Sequence, residues 1–275
     1  MICLVPALVL GQNAGSAEQV IQTIIKNTGS APVQNTVDVI KEGSPETQVT
    51  GIVTCMFATM DVLKKAVEKK CNLIIVHEPL YYNHLDNTEK FQLDSVFLAK
   101  KKFINDHKLV VWRFHDYIHR IQPDGIMSGM VEKLGWEKNK VEGNAYRFSF
   151  PNITLQTLLE NLKKTFPKNT VNVVGDRSMK LSGLMLVPGA AGTDAQIRAL
   201  RDNNIQVVVA GEVPQWETYE YVRDAVAQGR SKAIVFLGHI NSEESGMKYC
   251  SDWLRKFVKD VPVFYIECGS SYWTY

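Results

Sequence analysis

The chain has 275 residues, of which 45% are hydrophobic and 22% are charged, and its formal net charge is +2 at pH 7. This composition is ordinary for a globular protein with a sizeable core, and the length allows one large domain or two small ones. The small net charge, with Lys and Arg scattered along the sequence, argues against a nucleic-acid partner.

The N-terminal residues allow two interpretations. Residues 2–11 form a short apolar run and residues 15–17 resemble a small-residue cleavage site, but no basic residue precedes the run. Residues 1–17 are therefore predicted to be either a signal-peptide remnant or an N-terminal arm, and the protein to be either cytoplasmic or exported to the periplasm. The run is too short to span a bilayer, and no other segment is predicted to be a transmembrane helix.

Helices and strands are predicted to alternate along the chain. Apolar residues at helical spacing predict helices over residues 18–26, 59–70, 91–107, 127–134, 155–166, 193–202, 217–228 and 244–258. Runs of branched apolar residues predict strands over residues 36–40, 49–57, 73–76, 109–114, 171–174, 181–187, 207–210, 233–237 and 263–266. This alternation predicts an α/β protein with mostly parallel or mixed sheets.

Two histidine–carboxylate clusters directly follow predicted buried strands. His77 and Glu78 come after strand 73–76, and His239 and Glu243 come after strand 233–237. Residues just past the carboxyl ends of parallel strands line the crevice in which α/β proteins bind ligands. Imidazole and carboxylate groups are what a divalent transition metal needs. The alternative for each cluster is a set of polar residues that are solvated at the strand end or cap the next helix.

Cysteine is not expected to take part in such a site. The chain has five cysteines, and no two of them form a Cys-x-x-Cys pair. We predict buried free thiols rather than a disulfide framework or a thiolate metal site, so histidine and carboxylate must carry any metal chemistry.

The segment Gly189-Ala190-Ala191-Gly192 is the one glycine-rich turn that precedes a predicted helix after a strand. It lacks the spacing of either a dinucleotide-binding motif or a P-loop. We predict a tight turn between strand and helix, with phosphate binding at the helix N-terminus as the alternative.

Four segments carry polar motifs at the ends of predicted strands. They are residues 73–79 (an apolar strand, then His-Glu-Pro), 115–119 (His-Asp-Tyr-Ile-His), 211–212 (Gly-Glu) and 238–243 (Gly-His-Ile-Asn-Ser-Glu). In order, spacing and context they resemble the NIF-three-like (NIF3-like) family, also described as dinuclear metal-centre proteins and as type-two homologues of GTP cyclohydrolase type one. That family has His-His-Pro, His-Thr-x-x-Asp, Gly-Asp and Gly-His-x-x-x-Glu in these segments. The resemblance covers roughly residues 17–266.

The resemblance implies a set of metal ligands and two divalent metal ions, which could be zinc, iron or manganese. Carried over position by position, the family's usual ligands become His77, Glu78, His119, His239 and Glu243. Two of these depart from the family, because Glu78 stands where it has a second histidine and His119 where it has an aspartate. Since one ligand of each type is exchanged, the summed ligand charge is unchanged, which favours a remodelled metal site over a decayed one.

Local spacing supports part of this set independently. His239 and Glu243 are four residues apart and lie on one helix face if the helix starts near Gly238. His115 is either a further ligand or a group that orients a ligand through a hydrogen bond. In the family a carboxylate or another bridging group holds two ions close together, and the resemblance implies this role for Glu243 or Glu78. Glu243 and Glu212 are the candidate catalytic residues, with Glu212 either transferring protons or orienting a ligand. The alternative for Glu212 is a carboxylate at a helix N-terminus.

The predicted function is a metal-dependent hydrolase that acts on a small polar, heterocyclic or nucleotide-like substrate through metal-bound water. The alternatives are a non-catalytic metal-binding scaffold or regulatory protein, and a degenerate member that binds one metal or none. The resemblance implies one domain over residues 18–275, built from two similar, intertwined α/β halves (18–135 and 136–275) with mixed sheets. It also implies a homo-oligomer, typically a ring-like hexamer.

Overall fold

The structure, a computed structural model, describes residues 15–167 and 171–272. Residues 1–14, which carry most of the predicted signal peptide or N-terminal arm, lie outside the described residues. The first half of the chain forms α1 (Ala17–Asn27), β1 (Ile40–Glu42), β2 (Ile52–Cys55), α2 (Met60–Glu68), β3 (Leu73–Val76), α3 (Ser95–Asp106), β4 (Val110–Arg113) and α4 (Gly125–Leu134). The second half forms β5 (Lys140–Val141), β6 (Asn144–Thr154), α5 (Leu155–Thr165), β7 (Asn172–Val174), β8 (Lys180–Val187), α6 (Thr193–Arg201), β9 (Val207–Ala210), α7 (Glu220–Ala227), β10 (Ala233–Phe236), α8 (His239–Leu254) and β11 (Val263–Tyr265).

The described chain divides into two compact units, each with its own mixed sheet. Unit 1 comprises residues 15–117 and Ser251–Ile266, and unit 2 comprises Ile118–Cys250 and residues 267–272. The alternation of helices and strands and the two mixed sheets confirm the predicted α/β class. No helix within residues 15–167 and 171–272 combines the length and the apolarity that a membrane crossing requires.

Unit 1 has a five-stranded sheet with the order β1-β4-β3-β2-β11. Strands β4, β3, β2 and β11 are parallel, and β1 is antiparallel at one edge. Every residue of β2, β3 and β4 is buried, as expected for branched apolar runs in a parallel sheet. Helix α2 begins as the sequence predicts, because the Thr59 hydroxyl accepts a hydrogen bond from the Val62 N–H at 3.2 Å.

Unit 2 has a six-stranded sheet with the order β5-β6-β8-β9-β10-β7. The three inner strands β8, β9 and β10 are parallel, and the strands outside them are antiparallel to their neighbours. The parallel strands contribute to two buried apolar clusters. One includes Phe148, Leu184, Val207 and Val209, and the other includes Leu200, Val208, Val222 and Ile234.

The strand predicted over residues 36–40 lies instead at Ile40–Glu42, the short β5 was not predicted, and several other elements begin or end a few residues away from their predicted bounds. Two further differences have identifiable reasons. Helix α8 begins at His239 rather than 244, because the Ser242 N–H already donates to the Gly238 carbonyl at 3.0 Å. This start meets the condition under which His239 and Glu243 share one helix face. The 11-residue strand β6 was not predicted, because Pro151 interrupts its apolar pattern; the strand tolerates it at a shift in register between Ser149 and Ile153.

Helix α4 and the first turns of α8 pack closely enough that only glycine fits at their crossing. A Cβ atom on Gly129 would lie 2.2 Å from the carbonyl oxygen of Ser245, and one on Gly246 would lie 2.5 Å from the Cα of Ile126. Because both obstacles are backbone atoms, neither can move aside as a flexible side chain would. The crossing therefore fixes the N-terminal turns of α8 against α4.

We predict that Gly129→Ala destabilises the protein by about 1–3 kcal/mol, because the added methyl group forces the two helices apart. The control is Glu132→Ala on the exposed side of the same helix, which should change the free energy of unfolding by no more than about 0.5 kcal/mol. Urea denaturation of both variants measures the difference. Equal stability of Gly129→Ala and the control would show that the crossing is not tight.

Candidate metal centre

In unit 1, His77 and His115 stack just beyond the ends of two neighbouring parallel strands. Strands β3 and β4 pair so that Val76 lies opposite Arg113, which brings the residues that follow each strand side by side. His77 is completely buried, and its Nδ1 lies 3.2 Å from the carbonyl oxygen of Phe114. The ring of His115 stacks on that of His77, with 4.7 Å between the centroids and 19° between the planes.

Glu78 adds a carboxylate to the two imidazoles. Its Oε1 lies 3.9 Å from the Nε2 of His77 and 3.9 Å from the Nε2 of His115. His77 offers a ligand atom within 4.8 Å of one on His115 and of one on Glu78. These three residues, here called the unit 1 ligand group, are a combination of nitrogen and oxygen donors that could hold a metal ion.

A buried aspartate holds the backbone that carries His115. Asp38 accepts hydrogen bonds from the N–H groups of His115, Asp116 and Tyr117, at 2.8, 2.9 and 2.9 Å. Burial raises the pKa of Asp38 above its ordinary value, against the lowering effect of these three hydrogen bonds. The three consecutive N–H groups fix the turn after β4, so the direction of the His115 side chain is set by the fold.

In unit 2, the first turn of α8 presents His239 and Glu243 together. The Nε2 of His239 lies 3.0 Å from the Oε2 of Glu243, and Glu243 is buried. With metal–ligand bonds of about 2.0–2.2 Å, two neighbouring ligands of one ion lie about 3 Å apart. These two residues, here called the unit 2 ligand group, therefore have the spacing that the sequence predicts for ligands one helical turn apart.

Glu212 lies against the opposite side of the His239 ring. It follows β9, the parallel neighbour of β10, and its Oε1 lies 2.7 Å from the Nδ1 of His239. Its side chain is 57% exposed. Glu212 thus contacts the imidazole of a ligand candidate, and its predicted part in proton transfer stays a prediction.

His119 in unit 2 is paired with an aspartate that the sequence analysis missed. The Nδ1 of His119 lies 3.0 Å from the Oδ2 of Asp124. The same Asp124 caps α4, because its Oδ1 accepts the Met127 N–H at 3.0 Å, and it accepts the Tyr146 hydroxyl at 3.1 Å. Burial, with the nearby carboxylates of Asp124 and Glu243, raises the pKa of Tyr146, so its hydroxyl stays a donor.

All four candidate histidines have their Nδ1 beside an oxygen that can only accept a hydrogen bond. In unit 1 the acceptor for His77 is the carbonyl of Phe114, and the acceptor for His115 is the Asp116 carboxylate at 3.0 Å. In unit 2 the acceptor for His119 is the Asp124 carboxylate, and the acceptor for His239 is the Glu212 carboxylate. For Asp116, burial acts to raise the pKa, but hydrogen bonds that include the one to His115 lower it overall, so the carboxylate is an acceptor. A proton on Nδ1 satisfies each of these acceptors and leaves the lone pair of Nε2 for a metal. In His239 the Nε2 also faces a carboxylate, that of Glu243 at 3.0 Å, which is the spacing of two ligands of one ion.

The surroundings of His115 bear on whether it binds a metal or orients another ligand. Its Nδ1 is held by Asp116, while its Nε2 points to the same Glu78 oxygen as the Nε2 of His77. The geometry within unit 1 favours His115 as a ligand.

The first glycine of the turn Gly189-Ala190-Ala191-Gly192 lies directly against Glu243. Gly189 has a φ of +61°, and a Cβ atom on it would lie 2.3 Å from the Oε1 of Glu243. The Gly189 N–H also donates to the Ser242 hydroxyl at 3.0 Å. The segment is a tight turn before α6, as predicted, and its first glycine leaves the space that the Glu243 carboxylate occupies.

We predict that Asp124→Asn weakens zinc binding about 10–100-fold without unfolding α4. The asparagine can keep its oxygen on the Met127 N–H, but it then turns an amide donor toward His119, so the proton moves to Nε2 and blocks the ligand atom. The matched control is Asp94→Asn, since Asp94 caps α3 by accepting the Phe97 N–H at 2.9 Å. Calorimetric zinc titration distinguishes them, and equal affinities would refute the orienting role of Asp124.

We predict that Gly189→Ala also weakens zinc binding, because the added methyl group displaces Glu243. Gly192→Ala is the control from the same turn: Gly192 has a φ of +83°, so its substitution is equally strained, but no atom lies within 4 Å of the added Cβ. Both variants should lose similar stability, and only Gly189→Ala should lose zinc affinity, by about tenfold or more. Parallel losses of affinity in both would point to general strain instead.

Known proteins resemble this chain in sequence. A sequence model of the family described as Duf34/NIF3 (NGG1p interacting factor 3) matches residues 17–270. A Clostridium acetobutylicum protein described as a GTP cyclohydrolase 1 type 2 homolog is 26% identical over 213 residues, which cover 73% of this chain and 75% of that protein.

Solved structures share the fold. The Staphylococcus aureus hypothetical protein SA1388 superposes with a TM-score of 0.75 at 15% identity, covering 94% of this chain and 99% of that one. A Bacillus cereus protein related to NIF3 gives a TM-score of 0.75 at 13% identity, covering 96% of this chain and 100% of that one. At such identities these structures show the fold alone, and the sequence match shows the family. The chain belongs to the Duf34/NIF3 family.

Proposed function

We propose that this protein is a hydrolase that depends on two divalent metal ions and acts on a small polar, heterocyclic or nucleotide-like substrate. One observation carries the proposal: the Nδ1 of every candidate histidine faces an oxygen acceptor, and with the proton on Nδ1 each Nε2 is the metal-binding nitrogen. We assign the ligands to the unit 1 ligand group, to the unit 2 ligand group and to His119.

The donor set fits two divalent ions of the zinc, iron or manganese type. Imidazole nitrogen and carboxylate oxygen suit all three metals, and no described cysteine is needed for them. When bound, such ions supply Lewis acidity and lower the pKa of water at the site. The chain supplies the orientation: Asp116, Asp124 and Glu212 keep protons on the Nδ1 atoms, and Gly189 leaves room for Glu243.

A cleft in unit 2 supports the binding of a small substrate beside His239. The cleft has a volume of about 470 Å³, within the range of small-molecule sites. Its walls combine apolar and polar side chains, namely Val213, Phe236, Ile240, Asn241 and Ser270, with Glu212 and His239. We assign proton transfer to Glu212, since its exposed carboxylate lines this cleft. The description of the Clostridium acetobutylicum relative as a GTP cyclohydrolase homologue supports a nucleotide-like substrate.

The second candidate is a metal-binding scaffold without turnover. The observation that favours it is burial, because His77 is completely buried and Glu78 and Glu243 are nearly so. Catalysis requires a coordination position that water or substrate can reach, whereas a scaffold fills every position with protein. Metal binding without hydrolysis of any test substrate would select this candidate.

We expect the reconstituted protein to hold two divalent ions per chain and to hydrolyse at least one of a panel of esters, cyclic amides and nucleotides. His77→Ala and His239→Ala should each lose metal and activity together. The control is His107→Ala, an exposed histidine whose Nδ1 lies 2.9 Å from the Phe103 carbonyl oxygen one turn earlier. Elemental analysis gives the metal count, and full activity after chelation would refute the hydrolase.

A further inference from the structure

A completely buried arginine lies behind Glu78 in unit 1. Arg113 is the last residue of β4, and its Nε donates to the carbonyl oxygen of His77 at 3.2 Å. One terminal nitrogen donates to the carbonyl of His84 and lies 3.8 Å from the Oδ2 of Asp86. The other lies 3.5 Å from the Oε2 of Glu78. The guanidinium is thus fixed by the backbone of the same segment that carries the ligands.

The two oxygens of Glu78 have different surroundings. Oε1 lies 3.9 Å from the Nε2 atoms of both His77 and His115, and Oε2 lies beside Arg113. A buried carboxylate without a cation is strongly destabilising. A metal ion at Oε1 would neutralise this carboxylate, and Arg113 neutralises it without one.

We propose that Arg113 is the built-in counter-cation of Glu78, which keeps the unit 1 ligand group assembled in the metal-free protein at the cost of some metal affinity. This inference rests on the proposed function, since it takes Glu78 to be a metal ligand. Arg113 and the metal neutralise the same carboxylate and, as two positive charges, repel each other. Each therefore stabilises the folded protein less when the other is present. The consequence is a site that can lose and regain its metal without unfolding.

The test is the thermal midpoint Tm of Arg113→Met in chelator and in excess zinc, alongside zinc affinity from titration. Relative to wild type, the variant should have a lower Tm in chelator and a larger zinc-induced rise in Tm, because the charge of Arg113 is lost from beside Glu78 and zinc replaces it. With the repulsion removed, its zinc Kd should be tighter by about tenfold. The matched control is Arg147→Met, since Arg147 pairs with Asp202 at 3.3 Å on a partly exposed surface. Its zinc-induced rise should equal that of wild type.

A double-mutant cycle distinguishes the energetic coupling between Arg113 and Glu78 from a general loss of packing. Arg113→Met and Glu78→Gln should each lower the Tm in chelator, whereas the double variant should be more stable than the sum of the two losses predicts. If Arg113→Met does not fold in chelator, refolding with zinc should rescue it, and no rescue would overturn the proposal. The proposal would also be overturned by a zinc-induced rise in Tm that is unchanged or smaller, by weaker zinc binding, or by additive effects of the two substitutions. If wild-type protein itself binds no zinc, the proposed function fails as well.

Discussion

The candidate metal centre depends on one interaction, the pairing of the Nδ1 of each candidate histidine with an oxygen that accepts a hydrogen bond. An imidazole binds a metal through only one nitrogen while the other keeps its proton, so the partner of Nδ1 decides which atom is available. Phe114, Asp116, Asp124 and Glu212 supply these partners for His77, His115, His119 and His239. Each hydrogen bond also fixes the ring plane.

The fold supplies the four acceptors by different means. The parallel register of β3 and β4 places the Phe114 carbonyl beside His77. Asp124 is in place because it caps α4, and Glu212 because β9 ends beside β10. The ligand geometry within each unit is thus a result of secondary structure, and changes that seem structural, such as those at a helix cap, are expected to alter metal binding.

The sequence predicted those parts of the site in which short-range pattern determines position. Strands β3 and β9 have the predicted bounds, and the i, i+4 spacing of His239 and Glu243 gave their shared helix face. Asp124 was missed although it lies near His119 in the chain, because the predicted helix began at 127 and left no cap to recognise. The signal available in the sequence was the aspartate just before Gly125, which could have been read as the N-cap of α4.

Arg113 and Gly189 could not be assigned in the same way. Arg113 was included in a predicted strand over residues 109–114, and its partner Glu78 lies just after another strand, β3. The sequence indicated a turn at Gly189 but not the Glu243 carboxylate that occupies the space beside it. Both depend on the approach of distant segments, which spacing along one chain does not encode.

The most direct measurement is the protonation of the imidazole nitrogens in the zinc-loaded protein, read from long-range ¹H–¹⁵N NMR correlations. We expect His77, His115, His119 and His239 all to keep a proton on Nδ1 and to bind zinc through Nε2. A proton on Nε2 of these rings while zinc remains bound would contradict it.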